Sequence, residues 1–415
     1  MLEVYDFSRL KTILVLFLFS CYSNLMTAEN RNFRSEISPW IGDGIKTAGG
    51  TKTVGGLNAP RGRGAVSNKT GRFEQLKRTP VQDGWLRETD KPEFKTVVTD
   101  ENAATILTRN KSPDIPFDRS INAYRGCEHG CVYCFARPSH AFLGLSPGLD
   151  FESRLFAKPN AAALLEQEIS QKNYTPKPIA MGTNTDPYQP LERERRITRS
   201  LLKVLLKHEH PVTILTKSRL VVRDLDLIAP MAEKGLVKVG LSVTSLDRKL
   251  SRLMEPRASA PQRRLDAIRL LSDAGVPTSV MFAPLIPALN DHEMEAVLCA
   301  AEHAGAREAG YILLRLPLEV AGLFEEWLEA HYPDRKKRVL SRLAALRGGK
   351  LNDPRFKHRM KGSGFEADLM RQRFSNLCRR LHLSEEKAAL SVDHFKKPVL
   401  AGGQYDLLAA LGPAN

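Results

Sequence analysis

The chain has 415 residues, 42% of them hydrophobic, which is enough for one large globular domain or two ordinary ones. Six cysteines in so long a chain do not make a disulfide scaffold, because a core of this size needs no cross-links. The net charge of +15, from 62 Lys+Arg against 47 Asp+Glu, gives long-range attraction to nucleic acid or another polyanion, although many basic proteins bind neither.

Residues 1–25 contain a short apolar run, Thr12 to Phe19, behind Lys11. It reads as a signal-peptide core, and Ser20-Cys21 resembles a lipoprotein cleavage site. The run is too short to span a bilayer. The alternative is an upstream extension, with translation starting at Met26. The cysteine chemistry described below favours that alternative and a cytoplasmic protein. Residues 26–100 are basic and rich in Gly, Arg, Lys and Asn, with linker-like Thr47-Ala-Gly-Gly50 and Val54-Gly-Gly56. They predict a largely disordered tail. Whether Arg61 to Phe73 folds back onto the domain is left open.

Residues 101–320 alternate strand and helix signals. Ser120–Tyr124, Pro178–Gly182, Val212–Thr216, Val237–Val243, Thr278–Phe282 and Tyr311–Leu314 read as strands. Ala161–Gln171, Thr198–Lys207, Asp224–Glu233, Gln262–Ala274 and Asp291–Ala304 read as the intervening helices. In the fourth of these, Leu265, Ile268 and Leu271 share a face, and Gly275 then Pro277 end it. Six such repeats predict an α/β fold, a partial (β/α)6 barrel with its chemistry at the C-terminal strand ends. Residues 321–415 read as a helical extension through Ala321–His331, Asp334–Arg347 and Ala367–Leu381.

The loop after the first strand reads Cys127-Glu-His-Gly-Cys131-Val-Tyr-Cys134. Three thiolates at this spacing can hold three irons of a [4Fe–4S] cluster and leave the fourth open, whereas an electron carrier usually uses four cysteines. A Cys3His zinc site with His129 is the competing reading, but structural zinc usually draws on two separated pairs and no second pair exists. Cys21, Cys299 and Cys378 stand apart and read as small apolar residues.

The cysteine motif, an aromatic before its last cysteine, and its place after a first strand resemble the radical S-adenosylmethionine (SAM) superfamily. An ordered set of further motifs resembles its spore photoproduct lyase-like, "DNA repair photolyase"-type branch. These are Gly182-Thr-Asn-Thr-Asp-Pro-Tyr-Gln-Pro190 with Glu192 and Arg193, Thr216-Lys-Ser218, Ser242-Val-Thr-Ser-Leu-Asp247, Glu255-Pro-Arg257, Pro284-Leu-Ile-Pro287 and Arg315-Leu-Pro317. The likeness runs from about Asn102 to Leu381 and is nearest to an uncharacterised bacterial subgroup.

The resemblance implies a cluster on Cys127, Cys131 and Cys134 that cleaves SAM to a 5′-deoxyadenosyl radical, and an external reductant such as flavodoxin or ferredoxin. In such a site the SAM carboxylate needs a cation, for which Lys217 or Arg257 is placed. Its ribose needs polar partners, for which Asn184, Asp186 and Ser242 are placed, and Pro284–Pro287 offers an edge for adenine. Asp186-Pro187 is equally a turn starter, and Glu255 with Arg257 equally an ion pair. Tyr133 and Tyr188 are weak candidates for a radical relay, with packing as the alternative. One departure matters. Spore photoproduct lyase places a hydrogen-donating cysteine in the strand-two loop, and Gly182–Asp186 has none, so that repair chemistry is not carried over. The substrate is unidentified; a nucleic-acid base fits the charge. The rival function is a non-catalytic, metal-stabilised nucleic-acid-binding protein. A brown rather than colourless protein distinguishes the two.

Overall fold

The computed structural model describes residues 60–74, 95–385 and 389–398, with two short paired strands at 52–53 and 56–57. The expectations for residues 1–25, for most of the 26–100 tail and for the extreme C-terminus fall outside the described residues. Among the described residues no helix is long and apolar enough to cross a membrane.

Ten strands carry the fold: β1 (Val97–Asp100), β2 (Leu107–Arg109), β3 (Arg119–Ile121), β4 (Tyr124–Arg125), β5 (Arg154–Ala157), β6 (Ile179–Met181), β7 (Val212–Thr216), β8 (Val237–Ser242), β9 (Thr278–Leu285) and β10 (Glu308–Leu313). The main sheet runs β10-β9-β8-β7-β6-β3-β2. From β3 to β10 all neighbours are parallel, with Val239 opposite both Ile214 and Thr278. These are the six strands of the predicted partial barrel. Its two edges, β2 and β10, are not paired with each other. Every residue of β8 is buried, as a strand covered on both faces must be.

The crossover helices follow from apolar spacing. Ile197–Lys207 buries Ile197, Leu201, Leu202 and Leu205. Pro261–Asp273 starts on Pro261 and buries Leu265, Ile268 and Leu271. The predicted helix Asp291–Ala304 begins instead as a 3-10 turn, Asp291–Glu293, before Met294–His303.

Three features differ from the sequence reading. β2 is an added antiparallel edge strand, too short to show a period. β1, β5 and β4 form a separate small sheet, which takes the chain from β3 to the cysteine loop. Residues 60–74 are not a free tail: Arg63, Gly64, Ala65 and Val66 are buried against the domain.

After β10 come helices Glu319–His331, Pro333–Ala345 and Phe365–Arg380, with one turn of helix at His358–Lys361 between the last two. Trp327 is fully buried and donates to the Leu253 carbonyl at 3.0 Å. The β10 edge is covered twice. Ser384 bridges to it through Ala309, and buried Arg347 donates to the carbonyls of Leu313, its last residue, and Leu314, the next. Without such cover the edge would offer free carbonyls to another chain.

Candidate active site at the barrel mouth

The cysteine loop is held in shape by polar residues that are buried around it. Gln189, from the strand-two loop, accepts from Glu128 N at 2.9 Å and donates to Gly126 O at 3.3 Å, clamping both sides of Cys127. Cys127 N itself donates to Phe151 O at 3.0 Å. Tight turns close Gly130 N onto Cys127 O and Cys134 N onto Cys131 O. Fully buried Arg137 donates to the carbonyls of Cys131, Gly130, Pro147 and Gly148 and pairs with buried Glu152. These carbonyls are therefore satisfied by protein, which fixes the loop before any ligand arrives.

Cys127 and Cys131 are buried and Cys134 is partly exposed. Burial pushes the Cys127 thiol well above its ordinary pKa. It pushes Cys131 up to about 12, against the pull of Lys217. His129, the fourth ligand of the zinc reading, places Nδ1 3.3 Å from Asp186 Oδ2 and is 2% exposed. Among the described residues no three Cys, His, Asp or Glu side chains close around a single ion.

The strand-two loop folds over the Asn122 carboxamide, which accepts from Asn184 N and Thr185 N at 3.0 and 3.3 Å. Gly182 is required at its start. It has φ +90°, and a Cβ there would lie 2.0 Å from the Leu215 carbonyl oxygen. Asp186 does not face the mouth with free oxygens. Oδ1 accepts from Thr216 Oγ1 at 2.6 Å and Tyr188 N at 2.9 Å, and Oδ2 from Lys217 N at 2.8 Å. Burial works against its charge, but His129 and these donors hold its pKa down at about 2. These contacts make Asp186 a latch between the loop after β6, the end of β7 and His129 of the cysteine loop. Asp186→Asn would turn an amide donor toward Lys217 N. The expected cost is about 1–3 kcal/mol, read as a lower urea midpoint.

Lys217 and Tyr133 come together. Among the described residues the Lys217 ammonium makes no hydrogen bond or ion pair, and it lies 6.0 Å from the Tyr133 ring centroid. Burial disfavours its charge, but Cys131 and Glu255 outweigh that and raise its pKa. Tyr133 donates to Glu255, which also accepts from Thr244 Oγ1 at 2.6 Å and pairs with Arg264. Burial and then Glu255 push the Tyr133 phenol well up. Ser242 ends β8, 2% exposed, and its carbonyl accepts from Arg264 at 2.9 Å.

Two further candidates are held in other ways. Arg257 pairs with Glu128 at 2.8 Å, the ion-pair reading of Glu255-Pro-Arg257 transferred to a new partner. Tyr188 is fully buried beside Asp224 and Glu192. The loop Pro284–Pro287 is fixed by buried Asn290, which accepts from Ile286 N and donates to the Pro284 and Thr244 carbonyls. Gln189, Asn122, Arg137, Glu152 and Asn290 carried no role in the sequence reading. Gln189 and Asn122 find their partners about 60 residues away, and Glu152 accepts from Gly64 and Ala65, 88 and 87 residues away, while Arg137 and Asn290 bond mostly within their own loops.

The Radical SAM superfamily model matches residues 121–299, from the first barrel strand through most of the helix after the fifth, including all three cysteines. An uncharacterised protein of Mycobacterium tuberculosis, Rv2578c, is 35% identical over 269 residues, covering 61% of this chain and 79% of the relative. An uncharacterised protein of Methanocaldococcus jannaschii, MJ0683, is 28% identical over 228 residues, covering 55% and 81%. Among solved structures, spore photoproduct lyase complexed with dinucleoside spore photoproduct superposes with a TM-score of 0.49 at 16% identity, covering 68% of this chain and 79% of that one. The chain belongs to the radical SAM superfamily and is an enzyme of the radical SAM type.

Proposed function

We propose that Cys127, Cys131 and Cys134 hold a [4Fe–4S] cluster, that Lys217 receives the SAM carboxylate, and that the substrate is a base in a nucleic-acid strand. The donor set fits the cluster: three thiols lie on one pre-shaped loop whose carbonyls are already bonded, with His129 turned away to Asp186. When bound, the cluster supplies the electron that cleaves SAM to methionine and the 5′-deoxyadenosyl radical, which takes a hydrogen atom from the substrate. The electron comes from a flavodoxin- or ferredoxin-type reductant, in a reducing cytoplasm.

The observation that carries the reading is the unpaired Lys217 ammonium beside Cys131, at the end of β7. A charge-assisted contact there is worth about 1.5–3 kcal/mol, so Lys217→Ala is expected to weaken SAM binding roughly ten- to a hundredfold. Its cluster spectrum is expected to be unchanged. Anaerobic titration of SAM into the variant reads both. Ser242 and Asn184 are the polar partners left for the ribose, since both Asp186 oxygens are engaged.

The substrate class rests on the surface beside the mouth. Phe135, next to Cys134, is 42% exposed, and Arg315 stands over its ring at 5.4 Å. Arg315 also reaches Met360 in the basic segment Arg355-Phe-Lys-His-Arg-Met-Lys361, where Phe356 is 43% exposed. Arg359 ties that segment to Asp114. Cations interleaved with exposed rings suit a strand whose bases stack and whose phosphates are neutralised. The test is anaerobic turnover with SAM, dithionite and an oligonucleotide deuterated on its bases and methyl groups. Deuterium in the recovered 5′-deoxyadenosine supports the reading. Abundant 5′-deoxyadenosine with no deuterium from any oligonucleotide contradicts the substrate class.

A further inference from the structure

We propose that residues 60–74 are a buckle that holds the cysteine loop in its cluster-binding shape, acting through Glu152 as a positioning residue. The proposal rests on the reading that these cysteines hold a cluster. The inner end of the segment is bonded to the loop's support. Gly64 N and Ala65 N donate to the two Glu152 carboxylate oxygens at 2.9 and 2.8 Å, and Arg63 Nη1 donates to the Glu152 carbonyl at 2.6 Å. Glu152 in turn pairs with Arg137, whose Nε donates to the Cys131 carbonyl at 2.9 Å. The path from segment to cysteine thus has two intermediates, both fully buried.

The segment also touches the loop directly. A Cβ on Gly64 would lie 1.8 Å from the carbonyl oxygen of Gly130, the residue just before Cys131. On the other flank, Arg63 Nη2 reaches Thr96 Oγ1 at 3.2 Å, and Thr96 donates to Glu128 at 2.8 Å, inside the cysteine motif.

The outer end is anchored across the open side of the barrel. Ser67 donates to Glu326 at 2.6 Å, Lys69 pairs with the same carboxylate, and Arg72 pairs with Glu319 at 2.7 Å. Both acids belong to helix Glu319–His331, the first after β10. Ala65, Leu149 and Leu323 form a small apolar cluster between segment, loop and helix. The segment therefore spans from the loop after the first barrel strand to the helix after the last. Removing its amides leaves the buried Glu152 carboxylate short of two donors, and Arg137 is then no longer fixed against the Cys131 carbonyl.

The test uses the full chain with Gly64→Val, which drives atoms into the Gly130 carbonyl, and Arg63→Ala, which inserts nothing. In the metal-free protein, alkylation of each cysteine is followed by mass spectrometry, with Cys378, buried in the C-terminal helix, as the internal reference for global folding. The expected result is alkylation of Cys127 and Cys131 faster by about tenfold in both variants, with Cys378 unchanged. After anaerobic reconstitution, a chelator is expected to strip iron from both variants about tenfold faster than from the parent. Parent-like alkylation and parent-like iron loss in both variants overturn the buckle. So does an equal rise at Cys378 in both, which marks general unfolding. A parent protein that takes up no iron overturns the cluster reading instead, whatever the alkylation rates show.

Discussion

Cys131→Ala is expected to abolish cluster binding and, with it, all SAM cleavage. Among the described residues the loop supplies three thiols and no reserve: Cys299 and Cys378 lie on helices of the outer layer and the C-terminal extension, and His129 is held by Asp186. Removing one thiol leaves an iron without a protein ligand, and a cluster held by two ligands is not retained. Cys127→Ala and Cys134→Ala are expected to behave alike. The fold should survive, because Arg137 grips the Cys131 carbonyl and not its side chain. Iron and acid-labile sulfide per chain, together with visible absorption, read the first half, and near-ultraviolet circular dichroism reads the second.

Arg137→Ala is expected to cost about 3–5 kcal/mol of stability in the metal-free protein, more than any other single change considered. The residue is 0% exposed, as is its partner Glu152. Deleting one member of a buried pair leaves the other charge without compensation. Here it also strands the carbonyls of Gly130, Cys131, Pro147 and Gly148. Arg137→Lys keeps the charge but supplies a single donor centre, so it should recover only part of the loss. Urea unfolding of parent and both variants gives the order directly.

The barrel was legible because its signals are local. Val212–Thr216 matches the predicted strand residue for residue, and Val237–Ser242 falls one residue short of it. The helix at 197–207 starts one residue earlier than expected and that at 261–273 is shifted by one residue at both ends, since apolar spacing marks them both and a proline and a glycine mark the second. The cysteine loop stands out in the sequence for the same reason: three thiols within eight residues need no tertiary context to be seen together.

What was not legible depends on distant partners. Gly64 and Ala65 sit in a glycine- and arginine-rich stretch that composition assigns to a linker, and their partner, Glu152, lies 88 and 87 residues away. Arg137 reads as one more surface cation until the loop wraps around it. Asp186 offers carboxylate oxygens in sequence, yet the fold has already engaged both with Thr216, Tyr188 and Lys217. Arg257 stands near the mouth as expected but is paired with Glu128, whereas the Lys217 ammonium makes no ion pair among the described residues. Polar residues near a strand end can serve ligand or scaffold, and only the count of occupied hydrogen bonds separates the two.

The measurement that bears most directly on the central claim is 5′-deoxyadenosine formation. The protein is reconstituted anaerobically with iron and sulfide, reduced with dithionite and given SAM without added substrate, and the products are resolved by mass spectrometry. The account predicts 5′-deoxyadenosine and methionine, both dependent on dithionite and both absent from the Cys131→Ala protein. A reconstituted parent protein that holds a full complement of iron, binds SAM and yet forms no 5′-deoxyadenosine above the Cys131→Ala background would contradict it.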